Sequence, residues 1–533
     1  MVVPDVRSIG SSSRHPLQGR PNLEHSARDR RECLLAHISS EHVEFDATLP
    51  PMENVLPTPE EGSFFLRNIF FFSASNLFYL LVMSAMTFVV PKWVTVEDFA
   101  MYRFFLLFGG FAGAVHLGSL DGALMIWVQN PIKELRRGWM PLVQFIVLLH
   151  FAAAAVGLVA VFSLTHDATR VTWLLILALL PVANGLALSQ YALQSVRRFS
   201  TLSALTAFTP VCTLAIVIVL HLLHQATGFT VIATYLFSNG ISAAFGIIAL
   251  HPNVSWTPAS LADTLRTGSS YLLIGWSILI FNLLANFISS ADRFFIVAQF
   301  STRDFAIYSF AGAVFYSIYL VMLSISKVVF PYLADTSSPG RSFPYARVRE
   351  GLVILWALSL SFYFPITYAI DRALPRYAAS MPIVRLLLLA TASIMLIQIL
   401  HANYYRLLNH QRTMTVVASA GAAVTLACLF TVQHFHNLSA MAWATVAGCI
   451  FWGMLGELFL LRFMHGTVVS LFRTIAGLAV FMAIFLFSSG CQHSLLSGFV
   501  LQLALTIAAT LAFFFPTLRS LNKVISRQFG STT

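Results

Sequence analysis

About fourteen runs of roughly 20 apolar residues, separated by short polar gaps, leave this chain few ways to fold. That length is what a helix needs to cross the hydrocarbon core of a bilayer. A helix also satisfies every backbone polar group within its own segment, as lipid requires. The runs cover 64–90, 99–128, 139–164, 172–194, 200–222, 229–250, 270–291, 305–333, 350–370, 382–402, 413–432, 438–461, 472–489 and 495–516. Only 10% of the residues are charged and 57% are hydrophobic. Soluble domains carry about 25% charged residues, which excludes a water-soluble fold. The expectation is an all-α polytopic membrane protein with about 14 transmembrane helices. The abundant Phe residues read as lipid-facing bulk.

The net charge of +10 belongs to topology rather than to nucleic acid, because the basic residues sit in the gaps. One alternate set of gaps holds Lys133, Arg136, Arg137, Arg197, Arg198, Arg266, Arg341, Arg347, Arg349, Arg406, Arg412, Arg462, Arg519, Lys523 and Arg527. The other set holds only Lys92, Arg170, Arg303, Arg372 and Arg376, with Arg293 at its edge. The first set is expected in the cytoplasm, with both termini. Residues 1–62 lack an apolar run and read as a disordered cytoplasmic tail, with Met52 an alternative start. No signal-peptide pattern opens the chain. The five cysteines show neither a disulfide framework nor zinc-site spacing.

Asp98-Phe99-Ala100-Met101-Tyr102 returns as Asp304-Phe305-Ala306-Ile307-Tyr308, 206 residues later, with four of five residues identical. Each copy has a long apolar run before it and another after it, 64–90 and 99–128 for the first and 270–296 and 305–333 for the second, which points to an internal duplication. Six spans separate the copies, so the halves enter the membrane in the same direction. They are related by a pseudo-two-fold axis along the membrane normal. The expected organisation is a first lobe at 63–250, a cytoplasmic linker at 251–268 and a second lobe at 269–464. Two further helices at 465–518 and a cytoplasmic tail at 519–533 complete it.

Ser290-Ala291-Asp292-Arg293-Phe294-Phe295-Ile296, then Asp304 to Ser309, and finally Phe330-Pro331-Tyr332 form a pattern along the seventh and eighth spans. It resembles those spans in bacterial polysaccharide (O-antigen type) flippases of the multidrug/oligosaccharidyl-lipid/polysaccharide exporter superfamily. Leu117-Gly118-Ser119-Leu120-Asp121-Gly122 is similar to that family's Leu-Gly-x-x-Asp-Gly, whereas Ala306 stands where the family usually has Gly before Tyr. The resemblance implies transfer of a polyprenyl-pyrophosphate-linked oligosaccharide from the inner to the outer leaflet of the bacterial cytoplasmic membrane. Membrane lipids, glycosyltransferases and a polysaccharide polymerase are the partners it implies; nucleic acid is not one.

Charges within spans are costly unless paired or hydrated, so each marks a candidate site. Arg67, Arg103, Arg293, Lys327 and Arg385 are the candidate substrate contacts, suited as a group to a diphosphate. Taken singly, each also reads as a headgroup anchor. Asp121, His116 and Asp292 are the candidate coupling or gating groups. His116 and Asp121 lie on loosely neighbouring faces and form a possible proton site; a packing histidine is the plainer reading. The repeat offset aligns Asp121 with Lys327, one acid against one base, about 33 Å down helices that run inward. Glu457 is expected to pair with Arg462 or the membrane interface.

No Gly-x4-Gly-Lys-Ser/Thr nucleotide loop is present, so the expected driving force is a Na+ or H+ gradient, with no cofactor or bound metal. A cation-coupled multidrug antiporter is the alternative, although it would favour an acidic lining. A membrane polymerase or ligase needs a large outer loop or a catalytic carboxylate motif. The longest outward connection is only about 371–381, and the chain reads as a transporter rather than an enzyme.

Overall fold

A computed structural model describes residues 75, 78–165, 167–334, 345–408, 410–464, 468–490 and 494–529. Residues 1–62 of the expected tail, and Arg67, lie outside the described residues. The described residues form helices and no strand. In chain order these are α1 (Phe78–Trp93), α2 (Val96–Gly109), α3 (Ser119–Trp127), α4 (Pro131–Leu164), α5 (Asp167–Ser195) and α6 (Phe199–Leu222). Next come α7 (Gly228–Leu250), α8 (Leu261–Ile288), α9 (Ala291–Gln299), α10 (Thr302–Ala334), α11 (Tyr345–Ser359) and α12 (Tyr363–Ala373). The rest are α13 (Met381–Met395), α14 (Ala402–Leu407), α15 (Gln411–Val432), α16 (Leu438–Met464), α17 (Val468–Gly490) and α18 (Leu495–Phe529). Twelve helical segments among the described residues are long and apolar enough to cross a membrane. The first and eighth expected runs fall on the shorter α1 and on α10.

The repeated pentapeptide turns out to be helix-start chemistry. Thr95 caps α2: its hydroxyl accepts from Asp98 N at 3.1 Å and donates to the Asp98 carboxylate at 2.8 Å. Ser301 does the same before α10, accepting from Asp304 N at 3.1 Å and donating to its carboxylate at 2.6 Å. Both copies thus satisfy the free amides of a first helical turn, and each aspartate also complements the helix dipole. Asp98 additionally accepts from Gly228 N at 2.7 Å, joining the starts of α2 and α7. Downstream, α2 and α10 pack against each other. Phe99 from one copy meets Phe310 beyond the other at 6.3 Å, and both contact Tyr377.

Several expected runs are interrupted. The second, 99–128, breaks after α2 into a 3-10 turn at Ala112–His116, then left-handed Leu117 (φ 52°) and Gly118 (φ 89°), before α3. Gly118 meets this geometry without a Cβ penalty. The seventh run divides at Ser289–Ser290, so that Asp292 and Arg293 occupy the first turn of the short helix α9. The tenth contains a π turn, Leu396–His401, between α13 and α14. In α18, non-helical Phe514 precedes Pro516, whose ring disfavours a regular preceding turn.

Burial separates central from peripheral helices. In Pro375–Tyr405, 89% of the most apolar window is enclosed by protein, against 17% in Pro131–Leu164. The first segment is an interior element; the second presents apolar side chains such as Phe151 and Leu164 outward. The Phe residues divide likewise, since Phe99, Phe105, Phe281 and Phe310 are fully enclosed. Their edge-to-face and tilted ring contacts make them packing elements, which corrects the lipid-facing expectation for this group. Helices α17 and α18 pack together and against α11.

Candidate functional site

Two of the expected cations lie near each other where the halves touch. Arg103 projects from α2 and Arg293 from the first turn of α9. Asn286 Nδ2 donates to Gly110 O at 3.1 Å, and Phe294 packs on Phe108 and Phe111 at 5.2 and 5.6 Å. These contacts fasten the end of α2 to the α8–α9 break. The two guanidinium groups fall within electrostatic reach of each other, and Tyr316 lies within reach of both. Among the described residues the Nε of each arginine is buried without a hydrogen-bond partner. A pair of like charges held this way has donor capacity left for an anion.

Asp292 positions Arg293 rather than facing a ligand. It is fully buried and accepts from Tyr308 Oη at 2.6 Å, Thr445 Oγ1 at 2.9 Å and Arg293 N at 2.8 Å. Arg293 Nε stands 4.0 Å from the same carboxylate, and its Nη2 donates to Ser289 O at 3.2 Å. The guanidinium lies flat on α10 at Gly312, where an added Cβ would sit 2.7 Å from Cζ and Nε. Tyr308, the last residue of the repeated pentapeptide, therefore braces the acid that orients Arg293.

The remaining expected residues are dispersed. Arg385 is half-buried near Gly490 and within electrostatic reach of Tyr363. Lys327 falls on α10, but its side chain lies outside the described residues. Asp121 is buried and accepts from Tyr191 Oη at 3.3 Å. The His116 ring turns back on its own loop, its Nδ1 accepting from Gly118 N at 3.1 Å. His150 donates from Nδ1 to Ile146 O at 2.7 Å and accepts at Nε2 from Asn184 Nδ2 at 3.0 Å, while Asn184 Nδ2 also donates to Ala112 O. These histidines serve the turn before α3.

A second polar cluster had no counterpart in the sequence reading. Arg349, expected in a cytoplasmic gap, lies inside α11 at 1% exposure, because that helix begins earlier, at Tyr345. Its guanidinium binds Glu457 of α16 and donates to Thr474 Oγ1 at 3.0 Å and Ser470 Oγ at 2.8 Å. Glu457 also accepts from Tyr345 Oη at 2.6 Å and contacts His401 Nε2 at 3.0 Å. These contacts replace the expected pairing with Arg462, whose guanidinium instead covers the Phe459 ring. Beside them, Glu350 accepts from Ser470 at 3.1 Å and from Thr517, with Arg473 at 3.7 Å. Among the described residues no group of three His, Cys, Asp or Glu could hold a metal ion.

The fold and this interior define a polytopic helical membrane protein with two neighbouring arginines, one from each half, on helices α2 and α9. Residues 139–370 match the family model described as polysaccharide biosynthesis protein. In fold, the chain is similar to a solved structure titled lipid II flippase MurJ, inward closed conformation. That likeness has a TM-score of 0.62 and 12% identity, over 84% of this chain and 99% of that one. The Vibrio cholerae MATE transporter VcmN in the bent form is less similar, at a TM-score of 0.40 and 15% identity. It covers 79% of this chain and 99% of its own. No curated protein matches the chain. The family match covers residues 139–370 and is to a polysaccharide biosynthesis protein, while the likeness to the solved structure shows the fold.

Proposed function

We propose that this protein moves a polyprenyl-pyrophosphate-linked oligosaccharide from the inner to the outer leaflet by alternating access of its two halves. The Arg103–Arg293 pair carries this reading. Two guanidinium groups with unused buried donors, one from each half, suit a diphosphate and repel a cationic drug. The polysaccharide-biosynthesis match supports the sugar-lipid class, and the likeness to a lipid II flippase supports the architecture. The chain performs transport without bond chemistry, driven by a cation gradient across the bacterial cytoplasmic membrane. Both termini face the cytoplasm, glycosyltransferases supply the substrate, and a polymerase consumes it.

The test is export of surface polysaccharide in cells whose only copy is Arg103→Ala, Arg293→Ala or Lys327→Ala, at matched membrane levels. Charged hydrogen bonds contribute about 1.5–3 kcal/mol each, so either arginine loss should lower export about tenfold or more. Unchanged export in both arginine variants sinks the cationic site. Raised tolerance to cationic drugs on expression would favour the antiporter instead.

A further inference from the structure

The Arg349–Glu457 cluster contains a histidine that the transport reading does not use. His401 closes the π turn of the most enclosed span and is 2% exposed. π turns inside membrane helices are frequent at functional positions. Its Nε2 stands 3.0 Å from Glu457 Oε2. A carboxylate paired with Arg349 can only accept, so Nε2 carries the hydrogen and Nδ1 is left a bare acceptor. Among the described residues that Nδ1 is buried without a hydrogen-bond partner. Gly456 keeps its approach clear, because a Cβ there would lie 2.7 Å from Nδ1. A small cavity, with room for about one water, is lined by His401, Gly456, Tyr405, Phe281 and Trp452.

We propose that His401 is a proton-binding residue, taking one proton from water at Nδ1 while its Nε2–H remains on Glu457. Resting on the flippase reading, this pair is where transport senses a proton gradient. The groups around it favour such a change in charge. Among the described residues Arg349 and Arg473 balance Glu350 and Glu457, so a neutral imidazole leaves these groups without net charge and an imidazolium gives them one positive charge. Facing the ring are Glu457 from α16, with Arg349 and Tyr345 of α11 behind it, and Tyr405 of α14, whose hydroxyl donates to Gly456 O. The cavity faces of α8 and α15 present apolar Phe281, Met414 and Val417. Helix α10 also packs on the π turn, and its side chains beyond 318 lie outside the described residues. The added charge would therefore form beside two helices that each hold part of the ion network. A change there is transmitted to α11, α16 and α17 through Arg349 rather than dissipated in solvent.

The test starts with the purified full chain and no substrate, titrated with acid while the imidazole ring bands are followed by infrared difference spectroscopy. Wild type minus His401→Gln should show one ring-protonation transition, since Gln retains a donor toward Glu457 but cannot take the proton. Glu457→Gln, which preserves shape, should move that transition at least about one pH unit toward acid, a tenfold weaker proton affinity. Identical titrations of wild type and His401→Gln overturn the site. If His401→Gln fails to fold, an unmoved transition in Glu457→Gln overturns it. In vesicles carrying a fluorescent polyprenyl-pyrophosphate disaccharide, a pH gradient should accelerate wild type several-fold and leave His401→Gln unaffected. An equal response of the two overturns the coupling role. A transition that depends on Glu457, in a protein that moves no such lipid, supports the proton site and defeats the flippase reading alone.

Discussion

Arg349 and Glu457 show how a single residue can mislead in a membrane sequence. Arg349 sits among basic residues that look cytoplasmic, yet it is enclosed and bound to an acid 108 residues away. No local pattern announces such a pairing, because its two members are ordinary in their own segments. Removing one partner of a buried ion pair costs about 3–5 kcal/mol, since the other charge is left uncompensated. Arg349→Ala should therefore lower the thermal unfolding midpoint of the purified protein markedly. The joint replacement Arg349→Met/Glu457→Leu should recover much of that loss. Equal destabilisation by the single and joint changes would remove the pair from the stability argument. At Gly312 the expected effect is functional instead. Gly312→Ala puts a Cβ 2.7 Å from the Arg293 guanidinium, so the side chain must shift off α10. Polysaccharide export should fall while the amount of folded protein holds, and export at the wild-type level would show that the placement of Arg293 is immaterial.

At the scale of elements, the apolar runs located the helices, because length and composition suffice to mark a span. Hydropathy could not show the left-handed step at Leu117–Gly118, the division at Ser289–Ser290 or the π turn ending at His401. Each is a change of backbone geometry inside an expected apolar run, and each carries or adjoins a polar residue of interest. Gly118 and Gly122 are spaced four residues apart, as small residues are where helices pack closely. Their partner is α8, where a Cβ on Gly122 would collide with Tyr271 O and one on Gly275 with Gly118 O. Backbones in direct contact leave no flexible atom to yield. Gly275→Ala should therefore destabilise the protein by about 1–3 kcal/mol or force α3 and α8 apart. Thermal unfolding in detergent reads the first outcome; an unchanged midpoint together with unchanged export would show that the crossing is not tight.

For the whole molecule, the duplication could be read from one pentapeptide, and its two copies do start facing helices with the same capping chemistry. The cationic site does not follow that symmetry. At the offset of 206 residues, Arg103 corresponds to Ser309 and Arg293 to Thr87, so each half supplies one arginine from a non-equivalent position. The sequence identified both residues as candidates but not their proximity, which depends on how α2 and α9 are brought together. It likewise aligned Asp121 with Lys327 without showing what either touches. Alternating access requires the contact between halves to open during each cycle. Thr87 of α1 and Ser317 of α10 mark that contact, with hydroxyl oxygens 3.4 Å apart. Cysteines at both positions need only a small rotation to reach the ~2.05 Å of a disulfide. Thr87→Cys/Ser317→Cys should therefore crosslink on oxidation and stop export, and reductant should restore it. Each single cysteine should leave export near the wild-type level under both conditions. A crosslinked protein that continues to export would mean that these helices stay together throughout transport, and the moving boundary would then have to lie elsewhere in the bundle.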